Sequence, residues 1–271
     1  MESVRLAGSW PVENAAAAVV SSSGSVLGSF GDQSRVFRLA SVTKLLTSYA
    51  VLVAVEEGAV EWDQPAGPPG STLRHLISHT SGLAFDSSSV QAEPGTRRIY
   101  SNAGFEVMAS FVESACEIKF ASYLDEAVFQ PLGMTSTRLE GSPAAGAVSS
   151  VADLALFAAE LQAPRLVSAE LVLEASSVVL PGLSGVLPGY GHQRPNDWGL
   201  GFEIRSSKSP HWTGTGNSPR TFGHFGQTGT FLWVDPEAGV ACVALTDRAF
   251  GPWAVSAWTP FSDAVLEELR A

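Results

Sequence analysis

The spacing of hydrophobic and polar positions changes twice along the chain. From Ala15 to Phe30, AAAAVVSSSGSVLGSF has two apolar runs on either side of a Ser/Gly turn, which predicts two short strands forming a hairpin. From Ser41 to Glu57 the period lengthens: Leu45, Leu46, Tyr49, Leu52, Val53 and Val55 fall mostly three and four apart, as on one helix face, and Gly58 is a natural stop. Between Asp63 and about Gly189, helical patterns alternate with Gly, Pro and Ser clusters, in STLRHLISH, NAGFEVMASFVESACE, ASYLDEAVFQ, SVADLALFAAELQ and SAELVLEAS. From Trp198 onward strand signals return in LGFEIR, TFGHFG and TFLWVDPEAGVACVALTD, the last folded back at Pro236 to Gly239. A helix from roughly Trp253 to Leu269 closes the chain.

This order predicts an α+β fold in which the first and last strands share one antiparallel sheet flanked by helices. The expected division is a discontinuous sheet domain, residues 1–62 and 190–271, and a helical insertion, residues 63–189. A cleft is expected at their junction, where ligand sites tend to lie. No internal repeat is present.

Composition narrows the function classes. With 271 residues, 45% hydrophobic and 16% charged, the chain can bury a sizeable core. Its net charge of −11 argues against nucleic acid, whose binding needs clustered Lys and Arg. The longest apolar stretches, such as AVLVAV, fall well short of the roughly 20 residues that span a bilayer, so no membrane association is expected. The opening MESVRLAGSWPVEN lacks a basic segment followed by an apolar one, and a cytoplasmic location is expected if this start is the native one. Cys116 and Cys242 form neither a CxxC nor a paired framework and are read as reduced, buried thiols.

Candidate chemistry begins in RLASVTKLLTSY. Lys44, one of three lysines, lies in the apolar opening of the predicted helix, three residues after Ser41 and on the same face. A serine hydroxyl needs a base to become a nucleophile, and a lysine serves only where desolvation or a nearby cation lowers its pKa. By itself an S-x-x-K match is weak, since a mid-helix lysine can also snorkel to solvent. Tyr100 and Asn102, in RRIYSNAGFEVMAS, sit where a loop turns into a helix: a phenol can relay protons and an amide can orient an amine, although Ser101 or Asn102 could equally be a helix cap. In TFGHFGQTGTF, His224 precedes the small Gly226, which would let a substrate backbone lie close to the strand, and a strand N–H could form one arm of an oxyanion hole.

Together and in this order, with STLRHLISHTSGL and QPLGMTST between them, these segments closely resemble the serine β-lactamase and penicillin-binding-protein superfamily. The nearest branch holds class C β-lactamases, D-stereospecific peptidases and related carboxylesterases, and the resemblance runs from about Ala15 to Leu269. It implies that Ser41 is the acylated nucleophile, Lys44 its base, Tyr100 and Asn102 the second motif, and Ser101 a spacer. It places His224, Phe225 and Gly226 at the third motif, where many members carry lysine first, and assigns the oxyanion hole to the backbone N–H groups of Ser41 and Gln227. A histidine at 224 weakens fixed positive charge near neutral pH, and with it recognition of a substrate carboxylate as in penicillins. No class A glutamate motif is present, so deacylation is expected to run through Tyr100 and Lys44.

The expected function is therefore a serine hydrolase with a Ser41 acyl-enzyme, a carboxylesterase on short acyl esters that needs neither metal nor organic cofactor. The alternatives are a D-amino-acid amidase or peptidase, a weak β-lactamase, and a non-catalytic ligand-binding or sensor homologue. Neither G-x-S-x-G nor H-E-x-x-H occurs. His75 and His79 are spaced as a possible metal pair but lack a third ligand, and a helix-end hydrogen-bonding role is preferred for His79. Trp198 and Trp212 are expected to border the cleft and contact the acyl group.

Overall fold

The computed structural model describes residues 1–271. A 3₁₀ turn at Ser3–Ser9 precedes the expected hairpin, β1 (Ala15–Ser21) and β2 (Val26–Phe30). Next, β3 (Phe37–Arg38) leads through a 3₁₀ turn at Ala40–Val42 into α1 (Thr43–Glu56). Ser41 therefore lies in the turn that enters the helix, two residues before its first regular position. After α2 (Leu73–Ile77), α3 (Asn102–Cys116) and α4 (Phe120–Leu124), the chain continues through a π-helical turn at Asp125–Phe129 into α5 (Gln130–Leu132). The strands β4 (Arg138–Leu139) and β5 (Ala147–Ser149) come before α6 (Val151–Gln162) and α7 (Ala169–Ala175). A hairpin of β6 (Gly185–Leu187) and β7 (Gly191–Gln193) follows. The last elements are β8 (Glu203–Ile204), β9 (Phe222–Gly226), β10 (Thr230–Asp235), β11 (Val240–Thr246) and α8 (Pro252–Arg270).

Both ends of the chain meet in one six-stranded antiparallel sheet, ordered β2-β1-β11-β10-β9-β8. β1 runs against β11 from Ala15 opposite Thr246 to Ser21 opposite Val240. A smaller sheet, β3-β5-β4, was not expected, because strands of two or three residues carry no readable alternation. LGFEIR likewise contributes only the two residues of β8 to the main sheet.

Period-two alternation sends successive side chains of the sheet into two cores. Ala16, Ala18, Val20, Leu232, Val234, Ala241, Val243 and Leu245 join the larger core with α1 and α6. Ala17, Val19, Phe231, Trp233, Cys242 and Ala244 face the other way, against α8 and the first 3₁₀ turn. Both faces being covered explains why β1 and β11 read as continuous apolar runs. α1 is buried from Thr43 to Ala54 on every side, the environment of a central helix rather than a surface one. No helix is long and apolar enough to cross a membrane.

Two of the three lysines are fully buried, Lys44 in α1 and Lys208 in the loop after β8. Lys208 has a carboxylate: its Nζ lies 2.9 Å from Glu203 Oε1 and also donates to the carbonyls of Asp197 and Ile204. Glu203 further accepts from His211 and from Trp212 Nε1, so every polar atom of the cluster is paired. Removing one partner of such a pair leaves a buried charge without compensation. Glu203→Ala should lower unfolding stability by on the order of 3 kcal/mol in urea titrations, and Glu203→Leu combined with Lys208→Met should recover most of that loss. Equal stability of Glu203→Ala and wild type would contradict this account.

Candidate active site

The turn that carries Ser41 is held from two sides. Leu39 N–H donates to the Ala147 carbonyl, while Thr228 Oγ1 and Thr230 Oγ1 donate to the carbonyls of Arg38 and Leu39 at 2.7 and 2.8 Å. Ala40 is forced to φ +46°, a costly conformation for an alanine, immediately before Ser41. Gly226 is the residue of β9 that this turn rests on: a Cβ there would collide with the Leu39 carbonyl and stand 2.5 Å from Thr230 Oγ1. Gly226, two residues after His224, thus has to be small to admit the protein's own Ser41 turn, a constraint additional to the room it was expected to make for a substrate backbone.

Beneath Ser41, Lys44 Nζ donates to Asn102 Oδ1 at 2.6 Å and to the Ala144 carbonyl at 2.9 Å. It forms no hydrogen bond to Ser41 in this state, and no carboxylate lies within 4 Å of it. The amine sits 4.6 Å from the centre of the Tyr100 ring and 5.3 Å from that of Phe105. Burial lowers its pKa to about 7, against the weaker upward pull of Asp86 and Glu106. A neutral amine has two N–H donors and one lone pair; with both donors engaged, the lone pair is what remains to accept a proton.

The N-terminus of α3 delivers the second pair. Ser101 caps the helix by accepting from Gly104 N–H, which places Asn102 in its first turn. Asp86 accepts from Asn102 Nδ2 at 2.8 Å, turning the amide oxygen toward Lys44. Asp86 had no motif to mark it in the sequence. Tyr100 is half-buried in the cleft, and desolvation pushes its phenol well above the usual range while the neighbouring Ser41 hydroxyl works the other way. His79, just past α2, sits 4.6 Å from both Tyr100 and Trp198 between ring centres, and its Nδ1 accepts from Ser101 N–H at 3.1 Å. The helix-end hydrogen bond expected of His79 is therefore made to the residue that caps α3.

His224 closes the arrangement from β9. Its Nδ1 lies 2.6 Å from the Phe225 carbonyl, which can only accept, so Nδ1 carries the proton. Its Nε2 lies 3.2 Å from the Tyr100 hydroxyl. Burial, and then the charge on Lys44, hold the imidazole pKa down at about 3, so the ring is neutral at physiological pH and Tyr100 O–H donates to Nε2.

A cavity of about 100 Å³ opens above these groups, lined by Ser41, Tyr100, Trp198, His224 and Gln227 among others. The N–H groups of Ser41 and Gln227 have no acceptor elsewhere in the protein, and both residues border this space. Trp198 lines the cleft as expected. Trp212 does not: it is buried, donates through Nε1 to Glu203 and packs against Phe225 and Phe231. Sequence alternation could not show on which side of the sheet this loop tryptophan would settle. In an NMR pH titration the His224 ring should show no midpoint between pH 5 and 8; a midpoint near 6.5 would overturn its neutral assignment.

Comparison with known proteins identifies the fold and the family. A family profile described as Beta-lactamase matches residues 13–266. The fold superposes on the crystal structure of a β-lactamase from Mycobacterium bovis with a TM-score of 0.97 and 59% identity, covering 99% of this chain and 100% of that one. EstCE1, a hydrolase with promiscuous acyltransferase activity, shares the fold with a TM-score of 0.79 at 18% identity, over 98% of each chain. Penicillin-binding protein 4* of Bacillus subtilis is 28% identical over 136 residues, 38% of this chain and 30% of that protein, so the match spans less than a third of the relative's length. The chain belongs to the β-lactamase family of serine hydrolases.

Proposed function

We propose that the protein is a carboxylesterase for short acyl esters that works through an acyl-enzyme on Ser41. The observation that carries this reading is the buried Lys44 amine, which has no carboxylate partner and uses both of its donors on fixed acceptors. Ser41 Oγ attacks the ester carbonyl carbon, and its proton passes to Lys44 Nζ. The oxyanion is held by the free N–H groups of Ser41 and Gln227. As the tetrahedral intermediate collapses, the alkoxide leaving group takes the Tyr100 proton, which Lys44 replaces. Water then attacks the acyl-enzyme, giving a proton to the same Tyr100/Lys44 pair, and Ser41 recovers its proton as the acid departs.

Two features support an ester with a small acyl group. The space directly against Ser41 is about 100 Å³, the volume of a few methylenes at roughly 30 Å³ each. His224 is neutral and already occupied by Tyr100 and Phe225, so it supplies no fixed charge beside Ser41 for a carboxylate.

With p-nitrophenyl butyrate, wild type should turn over and show a butyryl adduct by intact mass. Ser41→Ala should lose both, and Lys44→Ala should lose on the order of 10²-fold or more in kcat/KM. Full activity in Ser41→Ala would sink the mechanism, and nitrocefin opened faster than the ester is cleaved would replace the ester by a β-lactam. The pH profile follows from Lys44. It accepts a proton only when neutral, so kcat/KM should fall about tenfold per pH unit below its pKa of about 7 and level off above it.

A further inference from the structure

Next to the Ser41 cavity lies a larger one of about 300 Å³, and Phe85, Tyr100 and Pro188 line both. One wall is the segment Arg97, Arg98, Ile99 that leads into Tyr100; the other is the β6-β7 hairpin, with Ser184 before it and His192 on β7. The two walls are joined where Arg98 N–H donates to the Ser184 carbonyl at 3.1 Å. Gly185 lies so close to this joint that a Cβ would stand 2.5 Å from the Arg98 carbonyl oxygen.

The charge of this cavity is opposite to that of the protein. The chain carries −11 overall, yet none of the eleven lining residues is acidic and two are arginines. Arg98 is buried and spends its guanidinium on carbonyls, of Ser78, Val179, Leu180 and Asn196, so its charge meets no carboxylate within 4 Å; Asp197 is the acid nearest enough to act on it. Arg97 is exposed at the cavity, with no hydrogen bond and no ion pair. Asp86, the nearby acid of the Ser41 site, is held by Asn102 and does not line this space. A free guanidinium fork in a lining that also holds a second, fixed arginine is matched by a planar carboxylate.

We propose that this cavity is a second subsite, in which Arg97, with Arg98 and His192 in the same lining, takes the carboxylate of an ester substrate whose scissile carbonyl lies at Ser41. The favoured substrates are then esters bearing an acid group a few carbons from the reacting bond, on the acyl or the leaving-group side. This deepens the esterase reading and rests on it for the identity of the reaction, although the anion site itself is separate from the chemistry. It also reconciles a neutral His224 with an anionic substrate, because the anion is recognised beyond Tyr100 and not beside Ser41.

The test has a binding arm and a kinetic arm, both on the full chain. In calorimetry, glutarate or adipate should bind while neutral glutaramide does not, and Arg97→Ala should weaken the Kd tenfold or more. Arg97→Lys should retain part of the affinity, and added salt should lower it. In the kinetic arm, mono-p-nitrophenyl succinate, glutarate and adipate probe the acyl side, and 4-butyryloxybenzoate the leaving-group side, against p-nitrophenyl and phenyl butyrate. At least one acid ester should exceed its neutral counterpart tenfold in kcat/KM, mainly through KM, and lose that advantage in Arg97→Ala while butyrate hydrolysis is unchanged. No dicarboxylate binding, or binding indifferent to Arg97, overturns the subsite even if butyrate is hydrolysed. Arg97-dependent binding with no ester cleaved keeps the subsite and overturns the esterase reading.

Discussion

The site depends on one buried amine that has no counter-ion. Ionised, Lys44 would need a carboxylate to offset its desolvation; it has only an amide oxygen, a carbonyl and two aromatic faces, so its pKa falls to about 7 and a substantial neutral fraction exists at physiological pH. Lys208 shows the other solution within the same molecule. It is equally buried but has Glu203 at 2.9 Å, and its role is to hold a loop. The difference between a structural lysine and a chemically poised one is here a single carboxylate.

Keeping Lys44 dry is the work of the whole architecture. α1 runs through the larger core with no solvent face, so the amine near its start cannot snorkel out. The sheet supplies a rigid floor: β9 presents His224, and β9 and the threonines around β10 grip the turn before Ser41. That grip offsets the strained backbone at Ala40 and leaves the N–H groups of Ser41 and Gln227 unpaired beside one cavity. The cap of α3 sets Tyr100 and Asn102 on opposite sides of Ser101, one toward His224 and the other toward Lys44.

Much of this was legible in the chain because it is local. The hairpin of β1 and β2, the helix after Ser41, the strand pair β10-β11 and the closing helix follow from apolar period and turn residues alone. Their order brought the two ends into one sheet. The contributions of Asp86 and Ala144 were not legible, since each acts through a contact far away in sequence and neither stands in a distinctive pattern; for His79 a hydrogen-bonding role was legible but its partner, Ser101, was not. Trp212 was misplaced for the same reason: composition marked it as a bulky apolar contact, and only the packing of its loop on the far side of β9 assigned it to Glu203 and the second core.

By itself, the sequence determined the elements, the antiparallel α+β plan and the set of reactive residue types, because helix period, strand alternation and motif spacing are properties of neighbouring positions. The tertiary structure decided protonation and fit. Whether Lys44 is charged, which nitrogen of His224 bears its proton and why Gly226 is small are set by desolvation and by hydrogen bonds across long separations, which no local pattern encodes.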